Sequence, residues 1–372
     1  MMNPHEIDLL HMRRALELAG RGQGSVEPNP LVGCVIARGT DVLAEGWHQK
    51  FGGPHAEVEA LRHTAGVDLT GATLYVTLEP CSHHGKTPPC ADAIIAAGIG
   101  RVAAAISDPF PAVDGEGFRR LREAGIEVEV GLAADEARQL LAPFAKRETT
   151  GRPWMIAKWA MTLDGKIASR TGSSRWISNA LSRAVVHQLR GRVDAVLVGR
   201  GTAAADDPLL TSRPPGPRTA TRIVIDSLAA MPLDSRLVQT ADEAPVLLAV
   251  GPAAPAEKLA QLRQAGVEVL QCDAAEPSAR LENLLDELGR RRMTNVLVEG
   301  GAALLGSLFD LGQIDEAHVF VAPQLIGGAA APSPLGGVGL EQMPGAIRLL
   351  DPVTELLDGD IYLHGRLARP EV

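Results

Sequence analysis

At 372 residues the chain exceeds the roughly 250–300 residues at which one hydrophobic core stops growing, so two domains are expected. Hydrophobic residues make up 45% and charged residues 22%, which excludes a disordered or fibrous chain. Aromatics are scarce at 3%, and the 39 Gly and 26 Pro imply cores of Ala, Val and Leu joined by tight turns. A net charge of −9 without a basic run argues against a protein that grips nucleic-acid phosphates.

Leu9, Met12, Leu16 and Ala19 recur at helical spacing and are stopped by Gly20. Glu6 and Asp8 interrupt this stretch, which has no secretory apolar run. No segment reaches the roughly 18 apolar residues that span a bilayer. The four cysteines, Cys34, Cys81, Cys90 and Cys272, are too few for a disulfide framework. A reducing, cytoplasmic setting without membrane or nucleic-acid partners is therefore expected.

The apolar runs 31–37 and 42–45 read as a hairpin across Arg38-Gly39-Thr40-Asp41. A helix is expected over 55–64, a strand over 73–78 and a helix over 90–97. A strand over 101–106, a helix over 117–124 and a strand over 126–130 complete a mixed or largely parallel sheet with helices on both faces. The polar stretch 146–153, ending Gly151-Arg152-Pro153, reads as the junction, with domains at 1–147 and 148–372. A second alternation follows, with strands at 155–159, 195–199, 222–226, 245–250, 267–272, 295–299 and 318–322. Helices are expected at 179–189, with Ser178 as N-cap, and at 256–265, 279–290 and 302–311. The segments 213–218 and 327–339 read as loops.

The informative run is His55-Ala56-Glu57 followed by Pro80-Cys81 and Pro89-Cys90. One imidazole and two thiolates form a three-ligand set with a fourth position open for water, as catalytic zinc requires. Glu57 is the candidate to move the water proton. The spacing places His55 and Glu57 in the first turn of a helix, where both can face one cavity. Cys90 at a helix start gains from the dipole as thiolate. His83 or His84 could close a purely structural site, but the acid beside His55 favours the catalytic one. Cys34 and Cys272 read as core residues.

This is the H-x-E…P-C pattern of zinc nucleobase and nucleoside deaminases, with eight residues between the cysteines instead of the usual two. Pro28-Asn29-Pro30, Val32-Gly33-Cys34-Val35-Ile36, Pro54-His55-Ala56-Glu57-Val58 and the run from Thr77 to Cys90 resemble the bifunctional deaminase/reductase family of riboflavin biosynthesis. The resemblance implies an α/β chain with a cytidine-deaminase-like three-layer N-terminal domain and a dihydrofolate-reductase-like C-terminal α/β domain. It implies zinc on His55, Cys81 and Cys90, and a small phosphoribosyl pyrimidine substrate contacted by Asn29, His48 and Lys86. A homodimer or higher assembly is also implied.

No G-x-G-x-x-G fingerprint follows the first strand of the second half. Glycine turns stand instead at Gly199-Arg200-Gly201-Thr202 and at Glu299-Gly300-Gly301, each after an apolar strand. Such a turn lets backbone N–H groups approach a pyrophosphate. The resemblance continues through Met161-Thr162-Leu163-Asp164-Gly165-Lys166, Ser174-Arg175-Trp176-Ile177 and the run from Ala205 to Thr211, and implies NADPH as reductant. Carried over, Ala160, Trp176, Thr202, Asp206, Ser227, Gly301, Ala302, Ala303, Leu304, Leu305, Gly306 and Ser307 would contact the nucleotide. Ser174, Arg190, Leu210, Arg213 and Glu299 would contact the substrate, with the arginines suited to its phosphate. Lys158, Asp206 and Glu299 are the candidates for proton handling. Two other readings are a deaminase acting on nucleic acid, which the net charge and scarce aromatics disfavour, and a zinc-stabilised binding protein, which has no use for Glu57.

Overall fold

Asn3 starts the first helix, α1 (Pro4–Gly20), by a reciprocal cap: its side chain accepts from Glu6 N, and the Glu6 carboxylate accepts from Asn3 N. The structure, a computed structural model, describes residues 2–82, 89–109 and 115–368. It divides into two units, Met1–Gly151 and Arg152–Val372. Lys86, His83 and His84 lie outside the described residues.

In the first unit, β1 (Gly33–Arg38), β2 (Asp41–Trp47), α2 (Ala56–Arg62), β3 (Thr73–Val76), α3 (Cys90–Ala96), β4 (Arg101–Ala104), α4 (Glu116–Glu123), β5 (Glu127–Val130) and α5 (Ala134–Thr150) follow in order. The sheet runs β2-β1-β3-β4-β5, antiparallel across β2, β1 and β3 and parallel from β3 to β5. The strand alternation divides the core into two layers. Cys34, Ile36, Leu74 and Val76 pack with Ala56, Ala60, Ala91 and Ile94 of α2 and α3. Val35, Ala37, Tyr75 and Ala103 pack with Met12, Ala15 and Leu18 of α1 and with Ala137 of α5. The expected three-layer sandwich is present.

The second unit contains β6 (Trp154–Thr162), α6 (Ala180–Arg190), β7 (Ala195–Gly199), α7 (Arg200–Asp206), β8 (Thr221–Ile225), α8 (Arg236–Gln239), β9 (Val246–Val250), α9 (Ala256–Gln264), β10 (Glu268–Gln271), α10 (Pro277–Arg290), β11 (Asn295–Val298), α11 (Ala302–Asp310), β12 (Glu316–Ala322), β13 (Leu349–Leu357) and β14 (Asp360–Leu367). The sheet order is β10-β9-β8-β7-β11-β6-β12-β14-β13. It is parallel from β10 to β12, with an antiparallel hairpin added at one edge. Leu281, Leu284, Leu285 and Leu288 of α10 and Leu305 and Leu308 of α11 cover one face.

The structure corrects several sequence expectations. The stretch 146–150 is the last turn of α5, which is interrupted by Pro143 yet closed by Gly151 in the left-handed region. The N-cap of α6 is Asn179, whose side chain accepts from Ser182 N; it lies one residue beyond Ser178. The turn at 199–202 is the start of α7, with Gly199 as its N-cap. The hairpin β13–β14 was not expected: Pro352 and an irregularity between Leu350 and Val353 break its alternation.

Asp194, just before β7, ties two parallel strands at their starts. Its Oδ2 accepts from Thr294 N (2.9 Å) and Asn295 N (2.8 Å) at the head of β11, and its other oxygen pairs with Arg218. Asp194→Ala is expected to cost the second unit about 2–4 kcal/mol, because two buried N–H groups lose their acceptor. Urea unfolding followed by near-ultraviolet circular dichroism measures this. A loss below about 0.5 kcal/mol, the scale of an ordinary surface change, would show that water replaces the carboxylate.

Candidate active sites

His55 is the N-cap of α2, with extended backbone (φ −75°, ψ 163°), and Glu57 is the second helical residue. Because His55 precedes the helix, its ring and the Glu57 carboxyl can turn to one cavity, although residues two apart diverge on a regular helix. Cys81 follows β3 through Thr77–Pro80, and Cys90 is the first residue of α3. The ligand atoms of His55, Cys81 and Cys90 lie within 4.8 Å of one another. His55 Nδ1 is 3.2 Å from Cys90 Sγ and 3.5 Å from Cys81 Sγ.

This donor set fits zinc. A tetrahedron with arms of about 2.0–2.3 Å has edges of roughly 3.3–3.8 Å, close to the observed separations. Two thiolates and one neutral imidazole also balance a dication. Cys90 N donates to Cys81 Sγ at 3.3 Å, so the start of α3 serves the other cysteine as well as its own. Hydrogen bonding from Cys90, and then from His55, holds the Cys81 thiol well below its ordinary range. Hydrogen bonding to Cys81, and then burial, pushes the Cys90 thiol up. Cys81, rather than Cys90, is thus the thiolate that the local field favours first.

Glu57 is 3% exposed. Burial pushes its carboxyl up to about 7; His55 opposes this shift and the Cys81 sulfur adds to it. Its side chain reaches Cys90, so the carboxyl faces the ligand set. His48 sits beside His55, with ring centroids 5.6 Å apart. His48 Nδ1 donates to Pro54 O (2.8 Å), which leaves Nε2 to accept from Asn29 Nδ2 (3.1 Å). Burial holds His48 in its neutral form. Asn29, His48, His55 and Glu57 therefore form one wall. Arg147 of α5 was missed from sequence; it donates to Pro28 O at 2.7 Å and fixes the loop carrying Asn29. Cys34 and Cys272 are buried in the cores.

In the second unit the candidates gather where β6, β11 and β7 lie side by side. Arg190 grips Glu299 with two bonds, Nε to Oε1 at 2.5 Å and Nη2 to Oε2 at 2.9 Å, and Lys158 Nζ is 4.0 Å from Glu299 Oε2. Burial lowers the Lys158 ammonium. Burial alone would raise Glu299, but the Arg190 guanidinium beside it holds the carboxyl below its ordinary value. Arg190 is thus engaged by a carboxylate, while Arg213 is exposed. Arg190 Nη1 also donates to Thr211 O (3.3 Å), Arg213 N donates to His187 Nδ1 (3.2 Å), and Arg222 Nη1 donates to Leu209 O (3.3 Å). These bonds hold the segment carrying Leu210 and Arg213. Arg222 and His187 were missed; an arginine inside an apolar strand was the available signal for the first.

The starts of α7 and α11 adjoin, since a Cβ on Gly301 would come 3.4 Å from Thr202 Oγ1. The backbone N–H groups of Ala302 and Ala303 open α11, a setting that suits a pyrophosphate. Leu304, Leu305 and Gly306 are buried, and Ala303 and Ser307 are exposed. Ser227 follows β8 and accepts from Gly251 N. Asp206 ends α7; its carbonyl accepts from Arg175 (2.6 Å), and its carboxylate is 3.8 Å from the same guanidinium. Trp176 is exposed with Arg183 stacked on its ring at 4.5 Å. Ala160 lies on β6 and Ser174 in the loop after it. Loop 327–339 runs from Asp164, which accepts from Gly327 N, to α11, where Gly336 N donates to Ala302 O and Asp310 accepts from Val338 and Gly339.

Residues 153–361 match the RibD C-terminal domain, and residues 5–106 match the cytidine and deoxycytidylate deaminase zinc-binding region. The chain is similar to the riboflavin biosynthesis protein RibD of Actinobacillus pleuropneumoniae, with 45% identity over 96% of this chain and 94% of the relative. It is 41% identical to RibD of Escherichia coli over 92% and 93% of the two chains. Among solved structures, Acinetobacter baumannii RibD superposes with a TM-score of 0.85 at 36% identity, covering 98% of this chain and 100% of that one. A Thermotoga maritima diaminohydroxyphosphoribosylaminopyrimidine deaminase/5-amino-6-(5-phosphoribosylamino)uracil reductase gives a TM-score of 0.85 at 35% identity, with the same coverage.

The ligand geometry predicts one tightly held zinc per chain, lost on Cys81→Ser. Elemental analysis of the purified proteins checks this, and an unchanged zinc content in the variant would remove Cys81 from the set.

Proposed function

We propose how two sites share the work in a chain that belongs to the RibD family of riboflavin-biosynthesis proteins. The chain is a bifunctional enzyme, a zinc-dependent deaminase joined to an NADPH-dependent reductase. The convergence of His55, Cys81 and Cys90 beside buried Glu57 carries this reading at the level of residues.

The first unit is proposed to deaminate 2,5-diamino-6-(5-phosphoribosylamino)pyrimidin-4-one. Zinc held by His55, Cys81 and Cys90 supplies Lewis acidity that brings the pKa of water towards about 7. Glu57 takes a proton from the attacking water, passes it to the ring nitrogen, and then delivers a proton to the departing amine. A carboxyl raised to about 7 by burial can both accept and return a proton near neutrality. Asn29 and neutral His48 orient the pyrimidine, and Lys86 is a further proposed contact. One water is consumed and one ammonia is released.

The second unit is proposed to reduce the ribosyl group of 5-amino-6-(5-phosphoribosylamino)uracil to ribityl. NADPH, when bound there, would supply the hydride that the anomeric carbon takes up. The starts of α7 and α11 hold its phosphates, with Ala160, Trp176, Thr202, Asp206, Ser227 and 301–307 along its length. Lys158, kept partly desolvated beside Glu299, delivers the proton that the reduction consumes, and Asp206 is a further candidate. Glu299 holds Arg190 and Lys158 in place, Ser174 and Leu210 line the substrate, and exposed Arg213 is the proposed cation for its phosphate.

A homo-oligomer is also proposed. The edge strand β13 exposes Leu350, Val353 and Leu356, and light scattering on the purified chain would test assembly. Among the described residues no helix is long and apolar enough to cross a membrane.

Glu57→Gln is expected to retain zinc, to abolish deamination by at least about 100-fold, the low end of a general acid–base contribution, and to leave reduction of supplied aminouracil intact. Mass spectrometry of the diaminopyrimidine incubated without and then with NADPH separates the steps, as amine-to-carbonyl exchange followed by gain of two hydrogens. Loss of both steps in the variant would contradict separate sites. Gly301→Val is expected to weaken NADPH binding by roughly tenfold or more, as a bulky side chain displaces a bound group, without affecting the deaminase. Titration of NADPH fluorescence gives the affinity, and an unaltered value would reject the α11 cradle.

A further inference from the structure

We propose that Glu79 is a positioning residue of the zinc site, fixing Cys81 through the start of α4; the proposal rests on the ligand assignment made above. Glu79 lies between β3 and the Pro80–Cys81 turn and is 4% exposed. Its carboxylate accepts from four backbone N–H groups. Oε2 takes Asp108 N (3.2 Å) and Gly115 N (3.0 Å), and Oε1 takes Gly117 N (2.9 Å) and Phe118 N (3.4 Å). Both oxygens of the side chain are thus engaged as acceptors. A glutamine would turn an amide donor towards two other donors.

Gly115 is the N-cap of α4, and Gly117 and Phe118 lie in its first turn, so Glu79 accepts from N–H groups that have no partner within the helix. The bonds draw α4 onto the ligand turn. Gly117 lies so close to Pro80 that a Cβ there would overlap the Pro80 carbonyl oxygen. From the seated helix, Arg120 reaches both cysteine segments. Its Nη1 donates to Ser82 O at 3.3 Å, and its Nη2 pairs with Asp92 Oδ1 at 2.7 Å. Ser82 directly follows Cys81, and Asp92 is two residues beyond Cys90. One guanidinium thus bridges the two ends of the segment between the cysteines.

The long cysteine spacing gives this bridge its purpose. With two intervening residues the chain itself fixes the separation of the sulfurs. With eight, Ser82 to Pro89, the spacing alone does not set that separation, and contacts from outside the segment can. Glu79, α4 and Arg120 supply those contacts without touching the metal or the substrate. Glu79 is set apart from Glu57 by its partners, which are backbone donors rather than ligand atoms.

The test uses the full chain as wild type, Glu79→Gln, Arg120→Met and Cys81→Ser. Zinc affinity is measured by competition with a chelator, and the thiolate-to-metal absorption band is recorded after Co²⁺ substitution. Deaminase kcat and KM are measured separately, and reductase turnover reports on the other unit. Glu79→Gln should lose about 10–100-fold in zinc affinity, as removal of a group supporting a ligand does. It should also shift the Co²⁺ band and lower deaminase kcat more than it raises KM, with reductase turnover unchanged. Arg120→Met, at a side chain 40% exposed, should fold and show a smaller change in the same direction. Wild-type zinc affinity and Co²⁺ band in every variant that folds, apart from Cys81→Ser, overturn the proposal, even if Glu79→Gln melts earlier. Zinc retained by Cys81→Ser would instead overturn the ligand assignment itself.

Discussion

One imidazole and two thiols from three separate elements must meet within a few ångströms, and most of the first unit is arranged to allow this. An extended N-cap, the turn after a strand and the first residue of a helix each place a side chain at the same end of the sheet. Helix starts are well suited to the task. Their unpaired N–H groups stabilise thiolate, as Cys90 N does for Cys81, and their first residues can face away from the helix axis. The layer beneath is built from small residues, with Ala56, Ala60 and Ala91 against Cys34 and Ile36. Short helices therefore lie close to the strands.

The second unit meets a different constraint, that of holding opposite charges together in a partly dry pocket. Lys158 and Arg190 share one carboxylate, Glu299, and burial keeps His187 nearby in its neutral form. Asp206 also acts on Lys158, so the two cations of the cluster are met by two acids, which lowers the cost of holding them away from water. Because Arg190 is already forked onto Glu299, its part is to fix the carboxylate and, through Thr211 O, the segment leading to Arg213. A charged residue expected to meet the ligand directly thus has a second use in shaping the loop that does.

What the sequence disclosed follows from the range of the interactions involved. His55, Glu57, Cys81 and Cys90 were legible because metal chemistry restricts residue type and spacing so tightly that few other patterns imitate it. The parallel strands were legible as short apolar runs. The helix α5 was hidden by Pro143 and by a polar last turn, and β13 by Pro352, since both elements are held by tertiary packing against their local preferences. Arg147 and Glu79 were hidden for another reason. Each acts through backbone groups far away in sequence, and no local pattern records which carbonyl or N–H a buried charge will meet. The same holds for loop 327–339, which reads as unstructured glycine and proline yet is fastened at one end by Asp164 and at the other by Asp310.

The two proposed reactions leave complementary parts of one molecule untouched. Deamination changes the ring and spares the phosphoribosyl group, whereas reduction changes the sugar and spares the ring. The two proposed substrates thus carry the same phosphate and differ in the atom that is presented to the chemistry. In the first unit the residues added between the cysteines include Lys86, on the only stretch by which this metal motif departs from the usual spacing. In the second, Arg213 extends from a segment whose backbone is secured by Arg190, Arg222 and His187. In the second unit the proposed phosphate cation stands on a connecting segment, while Lys158 stands on β6 and Glu299 directly follows β11. Such a division lets one kind of fold element fix the chemistry rigidly while a loop sets the distance to the phosphate.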